Sequence, residues 1–361
     1  MHLADGCVGA DGKIRQAAIT WIHHCIADGI ALVGVLLSMF DTAPGLALAA
    51  SMPAIDAPEE ENSWLQILQP MTRATIKAID LSSVMMTRYL EFVADTGMIA
   101  ECLGKAAQVA GWLMGNAVRL VGMTTDSATR LKGIPAGKKH VCWSEPLPLA
   151  EIKAIGKALV ASVNDVLMAS VAGAVGACLR EKGDPVPHDS ALRAMVPGNL
   201  RKSSTVQKLG NAFGLVPLVL PIRIEDPLAR LAEARLRMDQ LKDGYQALVA
   251  MAVLGVPGTT PKQVQNQVQN YFAKKATAVM SNVPGPQAPL FLAGSQLEQT
   301  MFWVPQSGDI RVGVSILSYN GGVQLGIVTD GAIADDPQRI IARFQPEFEE
   351  LVLLAMMSEW A

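Results

Sequence analysis

A chain of 361 residues has length for about two domains and a sizeable core, and its formal net charge of −3, from 30 Lys and Arg against 33 Asp and Glu, excludes nucleic acid as a partner, because a polyanion demands clustered basic charge. Half of the residues are hydrophobic and only 17% are charged, against about a quarter in an ordinary soluble domain, a balance that suits either a large buried core or the handling of apolar material. Five scattered cysteines, odd in number and never in a Cys-x-x-Cys pair, argue against a disulfide framework and a zinc site and fit a reducing cytoplasm.

Residues 14–24, IRQAAITWIHH, predict a buried strand that delivers His23 and His24 at its C-terminal tip. Asp28 then fits the N-cap of a helix from Gly29 to Phe40. Residues 42–63, rich in Pro, Ala and acids, predict an exposed loop or lid, and Trp64 to Met123 a long helical region. The Gly, Pro and Lys punctuation ending in GIPAGKKH predicts a linker over 124–143, so the chain divides into 1–123, the linker, and 144–361. Within the second part, 146–159 and 162–183 predict helices, 191–200 and 213–222 strands, and 226–250 and 261–274 helices. Strands follow over 276–283, 300–305, 310–318 and 322–329, the last two joined at Asn320-Gly321, and a final helix runs over 336–357. The most apolar stretches, 30–40 and 247–256, fall short of the roughly 18–20 residues that span a bilayer, and no secretory signal is visible.

The central constellation is HHxxxDG, from His23 and His24 to Asp28 and Gly29. An imidazole near its ordinary pKa of about 6.5 takes a proton from a hydroxyl and returns it to a leaving group, which no other side chain does as readily at neutral pH. The plainer alternative is a satisfied core histidine followed by an ordinary helix cap. A metal is disfavoured, since adjacent residues on a strand point to opposite faces. Ser281-Asn282-Val283-Pro284-Gly285-Pro286 reads as a rigid turn, or as polar groups at a strand end that donate to a substrate carbonyl or oxyanion. Asn164-Asp165 reads as a helix N-terminus capped by Ser162 or Asn164, or as a donor-rich helix start facing the site. GxSxG, GxGxxG and Walker A patterns do not occur, so covalent catalysis through a serine lacks its usual signature.

HHCIADG, SVNDVLMASVAGA, MVPGNLR, LGNAFG, MSNVPGP and VGVSILSYNGGVQLGIVTD, in that order, resemble the bacterial wax ester synthase/diacylglycerol acyltransferase family from about Lys13 to the C-terminus. The resemblance implies an α/β (α+β) chain with the two-lobed, chloramphenicol acetyltransferase-like fold and mixed sheets, residues 1–123 forming the remainder of the first lobe and 144–361 the second. It implies His24 as catalytic base, supported by His23 and Asp28, with Gly29, Asn164, Asp165, Ser281, Asn282, Pro284 and Gly285 as substrate-binding or structural positions. The implied reaction carries a long acyl group from acyl-CoA to diacylglycerol or a fatty alcohol, with no metal or other cofactor. The expected setting is the cytoplasm, at the inner membrane face or on lipid inclusions, with attachment through the region from Trp64 to Met123. Two departures stand out. The family's chains normally carry a hundred or so residues before HHxxxDG, including a Pro-Leu-Trp motif, so a truncated first lobe with an uncovered sheet edge is expected. Gly198 also stands where a larger apolar residue is usual. The rival reading is a catalytically impaired fragment that binds lipid or coats lipid droplets.

Overall fold

The computed structural model describes residues 2–9, 12–23, 26, 28–44, 115, 122–184, 192–199, 213–243, 262–306, 308–331 and 337–358. The loop, lid and helical predictions over 45–114 lie outside the described residues. The chain opens on two short strands, β1 (His2–Val8) and β2 (Ile14–Ile19), then α1 (Gly29–Leu37). After the connecting segment come β3 (Lys139–Trp143), β4 (Leu147–Pro148), α2 (Leu149–Ala158) and α3 (Val163–Glu181). The second half contributes β5 (Leu192–Asn199), β6 (Phe213–Leu220), α4 (Pro227–Asp243), α5 (Lys262–Ala273), β7 (Ala278–Pro284) and a small hairpin of β8 (Phe291–Leu292) and β9 (Ser295–Gln296). It closes with β10 (Val312–Tyr319), β11 (Gly322–Asp330) and α6 (Pro337–Ser358).

The architecture is mixed α/β around one large mixed sheet, ordered β3-β11-β10-β7-β5-β6, with β4 added against β11. β7 runs parallel to β5 and to β10, while the β10–β11, β11–β3 and β5–β6 pairs are antiparallel. Paired residues share a face, so the register sorts the side chains. Met280, Val314 and Ile327 lie on the face that carries the main core, where Ile152 of α2, Val166 of α3, Leu231 of α4 and Phe344 of α6 close over them. The opposite face carries Val279, Ser281 and Val283 of β7 beside Gly313, Ser315 and Leu317 of β10. It is partly covered by α5 and by residues 300–306.

Asn320 and Gly321 at φ +46° and +78° make the β10–β11 connection, the left-handed pair that a two-residue hairpin turn of this hand requires. α3, among the described residues the one helix long and apolar enough to cross a membrane, has 72% of that window buried inside the protein, as a core helix does.

Three expectations need correction. β2 is not a buried strand that reaches the histidines: it ends at Ile19 and pairs with β1 in a separate two-stranded ribbon whose outer face leaves Leu3, Val8 and Ile14 exposed. A two-stranded ribbon has too little area to bury both faces of its apolar run. The predicted linker ends early, because residues 139–143 form β3 and complete the outer edge of the sheet. Residues 300–305 form no strand; the Val304 amide donates to the Ser315 hydroxyl at 3.0 Å instead of joining a ladder.

Residues 123–138 strap one end of the sheet. The Asp126 carboxylate accepts from the Arg193 amide at 2.9 Å and the Thr277 hydroxyl at 2.6 Å. Further along, the Ala136 and Gly137 amides donate to Asp330 at 2.7 and 3.0 Å, so the donors of the GIPAGKK loop serve an internal carboxylate. Burial pushes the Asp126 carboxyl above its ordinary value despite the lowering by Thr277, Arg193 and Lys132. The folded chain therefore binds this proton more tightly than the unfolded chain. Its contribution to stability is full below the ordinary aspartate value of about 3.9 and is lost as pH rises through the raised one. Urea unfolding across that range is expected to show the stability of the natural chain relative to Asp126→Asn falling with pH and then levelling. A difference that grows with pH would contradict the assignment.

Candidate functional site

α1 starts where it does because Asp28 is extended, with φ −75° and ψ 172°, and its buried carboxylate accepts from the Ala31 amide at 3.1 Å. Immediately before it the chain turns, the Ile26 amide donating to the His23 carbonyl at 3.1 Å. His23 is at the surface. His24 lies outside the described residues, as do Cys25 and Ala27. A Cβ placed on Gly29 would stand 3.7 Å from Cγ2 of Val283, so the segment that ends the HHxxxDG motif abuts the C-terminal tip of β7. The far end of α1 is fixed by Leu37, which packs with Leu290 and Tyr319.

α3 begins with a reciprocal cap: the Asp165 amide donates to the Ser162 hydroxyl at 3.2 Å, and the Ser162 amide to Asp165 Oδ2 at 2.8 Å. Asp165 is 2% exposed, and its Oδ1 has no hydrogen-bond partner among the described residues. Its neighbour Asn164 meets β7: Asn164 Oδ1 accepts from Asn282 Nδ2. Two motifs 118 residues apart in the chain are thus joined side chain to side chain.

Alternation along β7 then separates the polar residues of SNVPGP. Asn282 pairs with Ile316 on the core face and meets Asn164, whereas Ser281 pairs with Ser315 on the opposite face, which Val283 shares. Ser281 is therefore the residue that looks to the same side as the end of the histidine motif. Its hydroxyl makes no side-chain hydrogen bond among the described residues. The two asparagines, which the sequence offers as oxyanion donors, are occupied at least in part with each other.

The turn that ends β7 is locked onto the β10–β11 hairpin. The Gly285 amide donates to the Ser318 carbonyl at 2.9 Å, the Asn320 amide to the Pro286 carbonyl at 3.0 Å, and the Leu290 amide to the Tyr319 hydroxyl, which donates to the Leu297 carbonyl, each at 2.8 Å. Burial pushes the Tyr319 phenol up, so it stays a neutral donor. A Cβ on Gly285 would fall 2.3 Å from the Ser318 carbonyl oxygen, closer than any side-chain carbon sits to backbone. Gly285→Ala is expected to cost about 1–3 kcal/mol of stability by forcing these strands apart, read as a lower urea midpoint with unchanged slope. An unchanged midpoint would show that the turn does not bind the hairpin this tightly.

The structure thus brings Gly29 to Val283, and Asn164 to Asn282, while Asp28 caps α1, Pro284 and Gly285 shape the turn and Asp165 serves the helix cap. The hairpin residues Ser318 and Tyr319, which hold that turn, were not singled out from the sequence, although Asn-Gly marked the hairpin that carries them. Among the described residues no group of three His, Cys, Asp or Glu is placed to hold a metal ion.

Residues 1–167 match the model of the wax ester synthase/diacylglycerol acyltransferase catalytic domain, and residues 209–352 match that of the C-terminal domain of the same enzymes. A probable diacylglycerol O-acyltransferase of Mycobacterium tuberculosis (strain H37Rv) is 24% identical over 96% of this chain and 70% of its own length. A second, putative diacylglycerol O-acyltransferase from the same strain is 25% identical over 96% of this chain and 71% of its own. Among solved structures, the wax ester synthase/diacylglycerol acyltransferase of Marinobacter aquaeolei VT8 is similar with a TM-score of 0.49 and 21% identity, over 69% of this chain and 57% of that one.

Proposed function

Because the chain belongs to the wax ester synthase/diacylglycerol acyltransferase family, we propose that it moves a long-chain acyl group from acyl-CoA to the hydroxyl of diacylglycerol or a fatty alcohol, giving triacylglycerol or a wax ester. His24 is the general base in this reading. It takes the hydroxyl proton as the alcohol oxygen attacks the thioester carbonyl carbon; the tetrahedral oxyanion collapses, the carbon–sulfur bond breaks, and the imidazolium returns the proton to the departing CoA sulfur. Direct transfer is preferred because no nucleophile motif is present. Acyl-CoA is a substrate here, and the reaction as written needs neither metal nor redox cofactor.

The observation that carries this reading is the approach of Gly29, at the end of HHxxxDG, to Val283 within SNVPGP. That approach makes the serine on the same face, Ser281, the side-chain donor of choice for the oxyanion, with Asn282 and Asn164 bracing the strand behind it. Asp28 supports His24 indirectly, by fixing where α1 starts and so where the preceding turn lies.

The test is purified chain with a radiolabelled long-chain acyl-CoA and either diacylglycerol or a fatty alcohol. Ester formed above the heat-killed control supports the enzyme. Retention of the labelled chain without turnover would replace it by a lipid-binding or droplet-associated protein.

A further inference from the structure

β3 is the outer strand of the sheet, and its side chains sort sharply. Cys142 points into the core, whereas Val141 and Trp143, two residues apart on the other face, are 47% and 48% exposed. Trp303, itself 36% exposed, packs edge-on against Trp143 with ring centroids 5.8 Å apart. Gly326 makes this pair fit: a Cβ there would lie 2.3 Å from Met301 Cε and 3.4 Å from Trp303 Nε1. Lys138 and Lys139 lead into the strand and are exposed, Lys139 also reaching Gln306 and, at 3.8 Å, Asp330.

Acidic groups gather on the other side of the same edge. Glu145, Glu151 and Glu349 line a cavity of about 290 Å³ between β4, α2 and α6. The edge therefore presents tryptophans and lysines together on one side and carboxylates on the other. Tryptophan beside lysine is the composition of the membrane–water boundary, where the ring sits at headgroup level and the ammonium meets lipid phosphate.

Register ties this edge to the site. Trp143, Gly326, Ser315 and Ser281 are paired across β3, β11, β10 and β7, in one row on one face of the sheet. Three strand spacings, roughly 14 Å, separate Trp143 from Ser281. We propose that the outer edge of the sheet, built from Val141, Trp143 and Trp303 with Lys138 and Lys139 at its border, is the surface by which the chain rests on an anionic lipid layer. The use given to this surface, setting the site within reach of lipid acceptors, rests on the acyl-transfer reading.

Vesicles of phosphatidylcholine, with and without phosphatidylglycerol, test it by flotation of the full chain and by quenching of tryptophan fluorescence with brominated lipid. The natural chain is expected to bind the anionic vesicles. Lys138→Gln with Lys139→Gln should weaken that binding at least about tenfold while changing binding to neutral vesicles little. Trp143→Ser, or the milder Trp143→Phe if the first fails to fold, should weaken binding to both and remove part of the quenching. No binding by the natural chain, or binding indifferent to all of these changes, overturns the proposal. So does a dimer in light scattering that Trp143→Ser dissolves, because the patch would then be covered by a second copy. Vesicle binding of the expected kind without ester formation would sink only the enzyme reading; ester formation in detergent with indifferent vesicle binding would sink only this one.

Discussion

His24→Ala is expected to lower kcat for ester formation by about 10²- to 10⁴-fold, the range a positioned general base supplies, with the urea midpoint of the chain little changed. The size follows from chemistry: an alcohol does not attack a thioester usefully until its proton is being removed, and no serine or cysteine elbow offers a covalent detour. The flanking residues give the contrast. Asp28→Ala removes the cap of α1 and is expected to cost about 1 kcal/mol of stability, with a loss of activity that follows from displacement of the turn. His24→Ala should also flatten the acid limb of the pH–rate profile, which a purely structural change at Asp28 does not. Comparable rates for His24→Ala and the natural chain, measured with saturating acyl-CoA, would remove the mechanism.

How much of this was readable beforehand depended on whether the controlling interaction was local. Asp28 three residues before Ala31, Ser162 three before Asp165, and Asn320-Gly321 between alternating strands all act within a single turn of chain, and each predicted element is present. β3 failed for the opposite reason. Its alternation of Lys139, Val141 and Trp143 outward with Cys142 inward was masked by the Gly and Pro just before it, and its place in the sheet depends on β11, far along the chain. The apolar run of β2 read as buried because composition reports hydrophobicity, while burial needs a partner surface.

The site divides in the same way. Which motifs matter was visible as strings, but which atoms they direct at each other was not. The bond from Asn282 to Asn164 has no local signature, and it changes the chemistry assigned to both by engaging two amides otherwise available to a substrate. Period-two alternation then makes the distinction between Ser281 and Asn282, once the register of β7 on β10 says which face is the core. A strand end with adjacent polar residues is ambiguous from sequence alone because one residue of slip exchanges the faces.

Arg230→Met is expected to cost about 3–5 kcal/mol, the penalty for stripping one partner from a buried ion pair. Arg230 is 1% exposed and ties three helices together: its Nε donates to the Ala169 carbonyl of α3 at 3.0 Å, Nη1 to the Ile224 and Glu225 carbonyls ahead of α4 at 3.0 Å, and Nη2 to Glu347 of α6. Gly173 yields the room, since a Cβ there would lie 2.2 Å from Glu347 Oε2 and 2.7 Å from Arg230 Cζ. Burial lowers the Arg230 pKa and raises that of Glu347, in each case outweighing the pull of the opposite charge. A pair whose burial works against both charges is expected to orient the helices more than it stabilises them. Pairing Arg230→Met with Glu347→Leu should therefore restore most of the loss, leaving only the three carbonyls that Arg230 had satisfied. Urea unfolding of the two single variants and the double variant decides it: a double loss equal to the sum of the singles would show that the charges do not act as a pair, and an Arg230→Met loss under about 0.5 kcal/mol would show that this core does not depend on them.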